Sequence, residues 1–246
     1  MLTVDLDKLA LAPGNICLDV GCGEGRHTLA TYLIEGVQAL GIDLSEQDLG
    51  TATQRIQDMA PHAPAGEIGF AAGDATELPL PDGSVDAAIA SEILEHIPNY
   101  LTVLEELWRV LKPGGRLCVS VPRQWPEWIC WQLSEEYRKT PGGHIRVFDA
   151  THLAREVVRQ GFVLTGRGSA HALHVPYWWL KCLFWRSDPE PWPVRLYHQL
   201  LVWDLMNRPW ITRVIDALLN PVMGKSIVFY FTKPAVQQTA PAGSHP

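Results

Sequence analysis

A short stretch at residues 91–97, SEILEHI, carries three side chains of types that bind cations. Glu92, Glu95 and His96 stand at positions i, i+3 and i+4, so a helix would bring all three to one face. Carboxylate oxygens together with an imidazole nitrogen suit a divalent metal such as Mg²⁺, Mn²⁺, Fe²⁺ or Zn²⁺. The pattern indicates a metal site, with the alternative that these side chains line a pocket and hold no ion.

A glycine-rich turn lies upstream, in the sequence ICLDVGCGEGRHT at residues 16–28. An apolar run ends there and glycines follow at alternate positions, Gly21, Gly23 and Gly25, before a helix begins. Glycines permit positive φ and leave no Cβ in the way of a ligand, and the helix start offers free N–H groups. The spacing is neither the G-x-G-x-x-G of dinucleotide enzymes nor a phosphate-binding G-x-x-x-x-G-K-[ST]. It favours an adenosyl ligand without phosphates.

Strands alternate with helices through the first half of the chain. We predict strands at 16–20, 37–42, 68–72, 85–90 and 116–121, the last one after a sharp turn at 112–115. A helix is predicted over 91–97, broken at Pro98 and resumed over 99–111. This order predicts an α/β fold, a Rossmann-like doubly wound parallel sheet that binds its ligand beyond the carboxyl ends of the strands.

The regular pattern stops after residue 122, which divides the chain into segments. The predicted segments are a core at 1–122, an insertion at 123–148, a core helix and strand at 149–170, a second insertion at 171–225, a last strand at 226–233 and a disordered tail at 234–246. Nine of the ten tryptophans lie in the two insertions. We expect a helical, Trp-rich lid. Three alternatives stay open for its aromatic rings: they form the core of the lid itself, they bury a lipophilic acceptor, or they lie in a membrane interface.

Composition narrows the class of protein. Hydrophobic residues make up 47% of the 246, charged residues 19%, and the net charge of −7 argues against a nucleic-acid partner. The five cysteines are odd in number and form no C-x-x-C, so neither a disulfide framework nor a zinc ribbon is indicated. We find no signal-peptide pattern and no apolar run of the ~18 residues that a membrane span needs. A cytoplasmic location is expected, with peripheral membrane contact as an alternative; the oligomeric state stays open.

The order of the motifs DVGCGEG, GID, GDATELPLPDGSVD, LKPGG and GF resembles class I S-adenosylmethionine (SAM) dependent methyltransferases. The resemblance covers about residues 16–162 and the last strand, and implies a seven-stranded sheet whose last strand is antiparallel. Asp43 would accept hydrogen bonds from both ribose hydroxyls, and Asp74 would receive the adenine amino group. The implied SAM-binding residues are Asp19, Gly21, Cys22, Gly23, Gly25, Asp43, Leu44, Asp74, Ala75 and Ser91. A dehydrogenase that reads an NAD ribose is the rival for Asp43, but the glycine spacing argues against it.

The E-x-x-E-H pattern, followed by His144 in GGHIRVF, is similar to the ligand set of metal-dependent O-methyltransferases of ubiquinone biosynthesis and of small RNAs. That resemblance implies Glu92, Glu95, His96 and His144 as ligands of a metal that lowers the pKa of the acceptor hydroxyl. Similar sequences also occur in relatives with no known metal, where the glutamate packs beside SAM and the histidine lines the pocket.

A histidine of near-neutral pKa can take a proton from a hydroxyl. The catalytic candidates are His96, His144, His171 and His174, and a purely structural role is the ordinary alternative for each. We predict methyl transfer from SAM to an oxygen of a lipophilic or aromatic small molecule by in-line displacement. Two alternatives stay open: metal-free C- or N-methylation, and a non-catalytic SAM-binding subunit that docks on a partner or a membrane.

Overall fold

The computed structural model describes residues 2–59, 66–140 and 142–235, and within them seven strands form one sheet. The strands are β1 (Ile16–Val20), β2 (Gln38–Asp43), β3 (Ile68–Ala72), β4 (Val85–Ser91), β5 (Leu111–Pro122), β6 (Val163–Ala170) and β7 (Ser226–Thr232). The helices are α1 (Arg26–Tyr32), α2 (Glu46–Met59), α3 (Tyr100–Val110), α4 (Gln124–Leu133), α5 (Glu135–Arg138), α6 (Ala150–Arg159), α7 (His174–Leu183), α8 (Trp192–Asn207) and α9 (Trp210–Met223). The predicted disordered tail lies outside the described residues from 236 onward.

The strand order across the sheet is β3-β2-β1-β4-β5-β7-β6. Neighbouring strands run parallel from β3 to β5, whereas β7 is antiparallel to both β5 and β6. This confirms the predicted Rossmann-like sheet of seven strands with an antiparallel last strand. Because β1 and β4 lie side by side, the two loops that leave their carboxyl ends meet at the middle of the sheet.

Both faces of the sheet are covered, and β7 shows how the sequence divides them. Phe229 and Phe231 belong to the larger core cluster, which α3 and α6 complete with residues such as Leu104 and Leu153. The alternate residues, such as Tyr230, join a smaller cluster on the other face, together with Leu9 of a short 3-10 helix at Leu6–Leu9. The period-2 alternation along a strand thus places one apolar set on each face, as expected for a sheet buried on both sides.

The stretch after β4 is not a helix, and the prediction for residues 91–97 is wrong. Glu92 takes a positive φ of 57°, and its N–H donates to the Ser120 carbonyl, so the chain first extends the strand pairing. A single turn follows, closed by a hydrogen bond from the His96 N–H to the Ile93 carbonyl, 3.0 Å. Pro98 has no N–H to continue it. Glu92 therefore does not share a helical face with Glu95 and His96.

The predicted turn at 112–115 lies inside β5. Leu111 already pairs with Val85, and the register shifts before Ala87 pairs with Arg116. The residues between them loop out opposite Asp86, whose carboxylate is held by Lys112 Nζ at 2.8 Å. The strand consequently begins earlier than the predicted residue 116, with a bulge where the Pro-Gly-Gly sequence stands.

The two insertions are helical, as predicted. The first forms α4 and α5, and the second forms α7, α8 and α9, with Pro191 immediately before α8. α4 packs on α7, and α7 packs on α8. None of the helices in the described part of the chain is long and apolar enough to cross a bilayer.

Thr3 ties the first residues of the chain to buried His27 and half-buried His171. Its N–H donates to His27 Nε2 at 3.3 Å, and its hydroxyl pairs with His171 Nε2 at 3.1 Å. Burial is the main cause that lowers the pKa of each histidine to about 3. Both rings are therefore neutral in the folded protein, and the His27 nitrogen accepts a hydrogen bond.

We expect His27 to make the fold sensitive to acid. Its pKa is about 3 when folded and about 6.5 in an unfolded chain, so its contribution to stability is complete above pH 6.5 and declines as the pH falls toward 3. A His27→Gln variant, which keeps an acceptor but does not titrate, should lose less free energy of unfolding on acidification, by up to about 1.4 kcal/mol per pH unit. Urea denaturation at several pH values measures this, and parallel curves for the two proteins would contradict it.

Candidate active site

A cavity of about 660 Å³ lies beyond the carboxyl ends of the parallel strands. Gly21 follows β1, Asp43 ends β2, Asp74 follows β3 and Glu92 follows β4, and all four line this cavity. Leu44 and Ala75 belong to the same wall. Open α/β sheets bind their ligands at this edge.

Gly21 packs directly against the turn that follows β4. Its φ is 69°, and a Cβ atom built on it would lie 2.2 Å from Ile93 Cδ1. Its N–H donates to the Ile42 carbonyl of β2 at 2.8 Å. Glycine is needed here for both reasons, since a side chain would be strained in the left-handed region and would displace Ile93.

Asp43 holds the glycine loop to the end of β2. Its Oδ2 accepts a hydrogen bond from the Gly23 N–H at 2.7 Å, and its Oδ1 accepts one from the Ser45 N–H at 2.8 Å. A carboxylate has about four acceptor positions, so two stay available to a ligand in the cavity. The two backbone bonds orient the carboxylate.

Asp74 is fixed by the turn that it begins. Its Oδ1 accepts hydrogen bonds from the N–H and the hydroxyl of Thr76, at 2.8 and 2.7 Å, and these bonds lower the pKa of Asp74. Its other oxygen is available to accept. Beside it in the wall, Ala75 is buried whereas Leu44 is 71% exposed.

Two further residues of the predicted SAM site, Asp19 and Ser91, are hydrogen-bonded within the protein. Buried Asp19 accepts from the N–H and hydroxyl of Thr28, and burial raises the pKa of Asp19 to about 6. Ser91 pairs with Ser120, hydroxyl to hydroxyl, at 2.8 Å. The cavity wall does not include Asp19, Cys22, Gly23, Gly25 or Ser91. Direct contact of these five residues with a ligand stays a prediction.

A second cavity of about 500 Å³ adjoins the first. Its wall combines charged, imidazole and apolar side chains, namely Thr3, Arg26, Glu92, His144, His171, His174, Tyr177, Trp178, His198, Leu201, Val202, Leu205, Lys225 and Ser226. The second insertion therefore supplies most of one side, as expected for a lid. Glu92 lines both cavities, so they meet at this side chain.

Glu92 is held rigidly at that junction. Its Oε1 accepts a hydrogen bond from the Ser120 hydroxyl at 3.1 Å. Burial raises the pKa of its carboxyl, against the opposing effects of Lys225 and Ser120. Its left-handed backbone is of the kind that costs about 1–3 kcal/mol and clusters at functional sites.

His171 and His174 lie together in the wall of the second cavity, with ring centroids 5.3 Å apart. Burial is the main cause that lowers the pKa of both. His171 is already engaged by Thr3, whereas His174 Nδ1 is buried and has no hydrogen-bond partner among the described residues. A neutral imidazole nitrogen without a partner can accept a proton or a hydrogen bond.

The candidate metal ligands separate into a group of three and Glu92. Ligand atoms of Glu95, His96 and His144 lie within 4.8 Å of one another. Glu95 Oε1 is 3.9 Å from His144 Nε2 and 4.0 Å from His96 Nε2. Glu92 is not part of this group, because the turn after β4 carries it toward Ser120.

Hydrogen bonds at Nδ1 orient both histidines of this group. His144 Nδ1 donates to Glu127 Oε1 at 2.7 Å, and His96 Nδ1 lies 3.2 Å from the Gly143 carbonyl. The Tyr137 hydroxyl donates to the same Glu127 oxygen at 2.9 Å. With the proton on Nδ1, each Nε2 presents a lone pair to Glu95. Ligating histidines in metal sites are held by such outer hydrogen bonds.

Glu95 is fully buried, and neither of its carboxyl oxygens has a hydrogen-bond partner among the described residues. Burial raises the pKa of Glu95 well above its usual range, and nearby Glu92 raises it further. A buried carboxyl without partners is destabilising, by about 1–3 kcal/mol or more. One carboxylate and two imidazole nitrogens that face each other fit a divalent transition metal, which would satisfy this group.

Sequence reasoning missed three residues of the site. Glu127 lies in the Trp-rich stretch QWPEWIC, and its position between tryptophans was the available signal, since a carboxylate on a buried helix face needs a partner. Arg26 and Lys225 line the second cavity. Lys225 Nζ also lies 5.2 Å from the Trp178 ring centroid. Lys225 stands at the end of the predicted insertion at 171–225.

Comparison with known proteins identifies the domain that builds the first cavity. Residues 18–119 match a family model described as a methyltransferase domain. These residues, fewer than half of the chain, are similar to methyltransferase domains. The matched residues include most of β1 and most of β5, and with them the glycine loop and Glu95.

Two curated relatives each match less than half of the chain. The 27-O-demethylrifamycin SV methyltransferase of Amycolatopsis mediterranei is 38% identical over 113 residues, which are 46% of this chain and 40% of that protein. The O-methyltransferase cnsE of Penicillium expansum is 37% identical over 113 residues, with the same shares. The chain thus spans less than half the length of these curated relatives.

Solved structures extend the likeness of fold beyond the methyltransferase domain. A SAM-dependent methyltransferase from Methanosarcina mazei superposes with a TM-score of 0.63 at 16% identity, over 95% of this chain and all of that one. At this identity the match concerns the fold alone.

We expect two glycines of the methyltransferase domain to respond differently to alanine. Both have positive φ, but a Cβ at Gly23 meets no atom within 4 Å, whereas one at Gly21 meets Ile93 at 2.2 Å. Gly23→Ala should cost about 1 kcal/mol of unfolding free energy through its backbone alone. Gly21→Ala should cost about 1–3 kcal/mol more because Ile93 must move. Urea denaturation measures both, and equal losses would contradict the packing argument.

Proposed function

We propose that this protein transfers a methyl group from SAM to an oxygen of a small, partly lipophilic molecule, with a divalent metal bound beside the acceptor. The observation that carries the proposal is that Glu92 lines both cavities. A cofactor in the first cavity and an acceptor in the second would meet at this side chain. The methyltransferase domain and the O-methyltransferase relatives support the same chemistry.

The first cavity fits the adenosyl part of SAM. Two remaining acceptor positions on Asp43 suit a pair of ribose hydroxyls, and a charged acceptor makes such bonds stronger than a neutral one. Asp74 has an oxygen for the adenine amino group, with apolar Leu44 and Ala75 beside the ring. SAM supplies an activated methyl group on a sulfonium centre, so the protein's main task is alignment, worth up to ~7–11 kcal/mol.

The second cavity fits an acceptor with an apolar body and a polar end. Tyr177, Trp178 and the α8 leucines form the apolar part of its wall. Arg26 and Lys225 lie in the same wall and suit an oxygen-rich or anionic group. This distribution favours a lipophilic or aromatic molecule that carries a hydroxyl.

Glu95, His96 and His144 would hold the metal. The support is the unpaired, buried carboxyl of Glu95 together with two histidines whose Nδ1 atoms already donate elsewhere. A divalent ion supplies positive charge that lowers the pKa of a neighbouring hydroxyl. Glu92 then serves at the junction of the cavities and does not act as a ligand.

His174 is the candidate that this arrangement favours as catalytic base. His144 and His96 have both nitrogens committed in the metal-bound form, and His171 is bonded to Thr3. His174 is neutral because burial lowers its pKa, and its Nδ1 has no partner among the described residues. It can therefore take the proton of the acceptor hydroxyl. Glu92 and Lys225 line the same cavity and keep their places in its wall.

Transfer of labelled methyl from SAM into extracted hydroxylated small molecules and lipids tests the function. We expect SAM-dependent incorporation by the parent protein, and SAM binding that is about tenfold or more weaker in Asp43→Asn, because a charged acceptor is lost. Glu46→Gln, an exposed change at the start of α2, is the matched control and should bind SAM normally. SAM binding by the parent without transfer to any acceptor would instead favour a non-catalytic SAM-binding subunit.

The metal is tested by stability as well as by activity. A divalent ion at 100 times its Kd should stabilise the parent by about 2.7 kcal/mol and should leave Glu95→Gln unaffected. EDTA should abolish methyl transfer by the parent, and Mn²⁺, Fe²⁺ or Zn²⁺ should restore it. Glu77→Gln, in a loop outside the cluster, is the control. Full activity in EDTA, with no metal in the purified protein, would remove the metal from the proposal.

A further inference from the structure

α9 presents its apolar side to solvent. Seven large apolar side chains of this helix are between 37% and 74% exposed: Trp210, Ile211, Val214, Ile215, Leu218, Leu219 and Val222. They recur at positions i, i+1, i+4, i+5, i+8, i+9 and i+12, which is one continuous face of a helix. An amphipathic helix on a protein surface normally buries this face.

The polar side of α9 faces the protein and fixes this orientation. The Thr212 hydroxyl donates to Asp204. Asp216 Oδ1 accepts from the Leu173 N–H at 3.0 Å, and Asn220 Oδ1 accepts from the Ala172 N–H at 2.9 Å. Positions 212, 216 and 220 form one stripe of the helix. The outward direction of the apolar face is thus set by specific hydrogen bonds.

α8 also carries large apolar side chains that are exposed to solvent. Seven of its side chains are between 43% and 76% exposed: Trp192, Leu196, Leu200, Val202, Trp203, Leu205 and Met206. Each helix begins with an exposed tryptophan, Trp192 in α8 and Trp210 in α9. Exposed apolar surface of this extent marks an interaction site, and tryptophan favours the boundary between water and lipid.

The exposed charged residues within 192–223 all have one sign. Of the five charged residues at 192–223, Asp204 is buried and Asp216 is bonded to backbone and Asn220. The exposed ones are Arg195, Arg208 and Arg213. The chain as a whole has a net charge of −7, so this is a local excess of positive charge.

We propose that the α8–α9 face docks on an anionic lipid bilayer, with both helices in the plane of the interface. An exposed apolar helix face with arginines beside it has the composition of such interfacial helices. Neither helix is long enough to span a bilayer, since they have 16 and 14 residues. A symmetric contact between two copies of the chain fits less well, because it would bring the same three arginines near one another.

The position of α8 connects this face to the second cavity. Leu201, Val202 and Leu205 line that cavity, and Val202 and Leu205 are also part of the exposed surface. Docking therefore brings one wall of the cavity to the lipid. The docking itself does not rest on the proposed methyl transfer, and it is measured without SAM.

Co-sedimentation of the full chain with lipid vesicles tests the proposal. We expect vesicles of phosphatidylcholine mixed with phosphatidylglycerol to retain the parent protein. Leu218→Glu should weaken binding by about tenfold or more, because a charge replaces an apolar side chain that enters the lipid. Val158→Glu is the matched control, since Val158 is an exposed apolar residue of α6 at 46%, and it should bind within about twofold of the parent. Thermal unfolding checks that both variants fold.

Charge is tested by the triple variant Arg195→Gln, Arg208→Gln and Arg213→Gln. It should bind anionic vesicles several-fold more weakly than the parent and lose the preference for them over pure phosphatidylcholine. Failure of anionic vesicles to retain the parent would overturn the proposal. So would a parent dimer that Leu218→Glu dissociates while vesicles retain neither protein, since the face would then belong to a second copy.

Discussion

The contact of Gly21 with Ile93 is the constraint on which the site depends. β1 and β4 are adjacent in the sheet, so the loops after them compete for the same space. The absence of a side chain at Gly21 lets Ile93 occupy that space. Ile93 in turn fixes the turn that carries Glu92 toward one cavity junction and Glu95 toward the two histidines. A larger residue in the loop would shift the first cavity and the candidate metal site together.

Much of the methyltransferase domain could be predicted from local sequence, for a physical reason. A buried parallel strand is a short apolar run, and its end is marked by the polar or glycine residue that leaves the sheet. β1 and β3 accordingly have the bounds expected from sequence alone. Asp43 and Asp74 follow from the same logic, because the carboxyl ends of parallel strands lie at a common edge.

The turn after β4 and the partner of His144 could not be predicted in this way. The spacing of Glu92, Glu95 and His96 is helical, but the backbone at Glu92 pairs with β5 and adopts a positive φ. This backbone conformation depends on the pairing with β5, so the sequence of residues 91–97 alone does not reveal it. Glu127 reaches His144 only after α4 has packed beside the loop at 142–149, so the pair depends on tertiary structure.

The direction in which the apolar face of α9 points could not be predicted from the sequence either. A period of 3.6 residues reveals that a helix has an apolar face, but it does not say which way that face points. For α9 the direction is decided by Thr212, Asp216 and Asn220, whose partners lie in other segments. The sequence leaves open a lid core formed by the aromatic rings at 125–131 and 177–185. Trp203 and Trp210, at 46% and 74% exposure, do not belong to such a core.

The position of β7 has a consequence for the order in which the protein folds. Among the strands of the described residues, β6 pairs only with β7, and β7 pairs with β5 on its other side. During synthesis β6 is made first and has no neighbour until the chain has passed through α7, α8 and α9. The sheet is therefore closed by its last strand, after the whole lid has left the ribosome. Until then, the edge of β5 that β7 will cover is exposed together with the apolar helices of the lid. An open strand edge beside apolar surface favours aggregation during this interval.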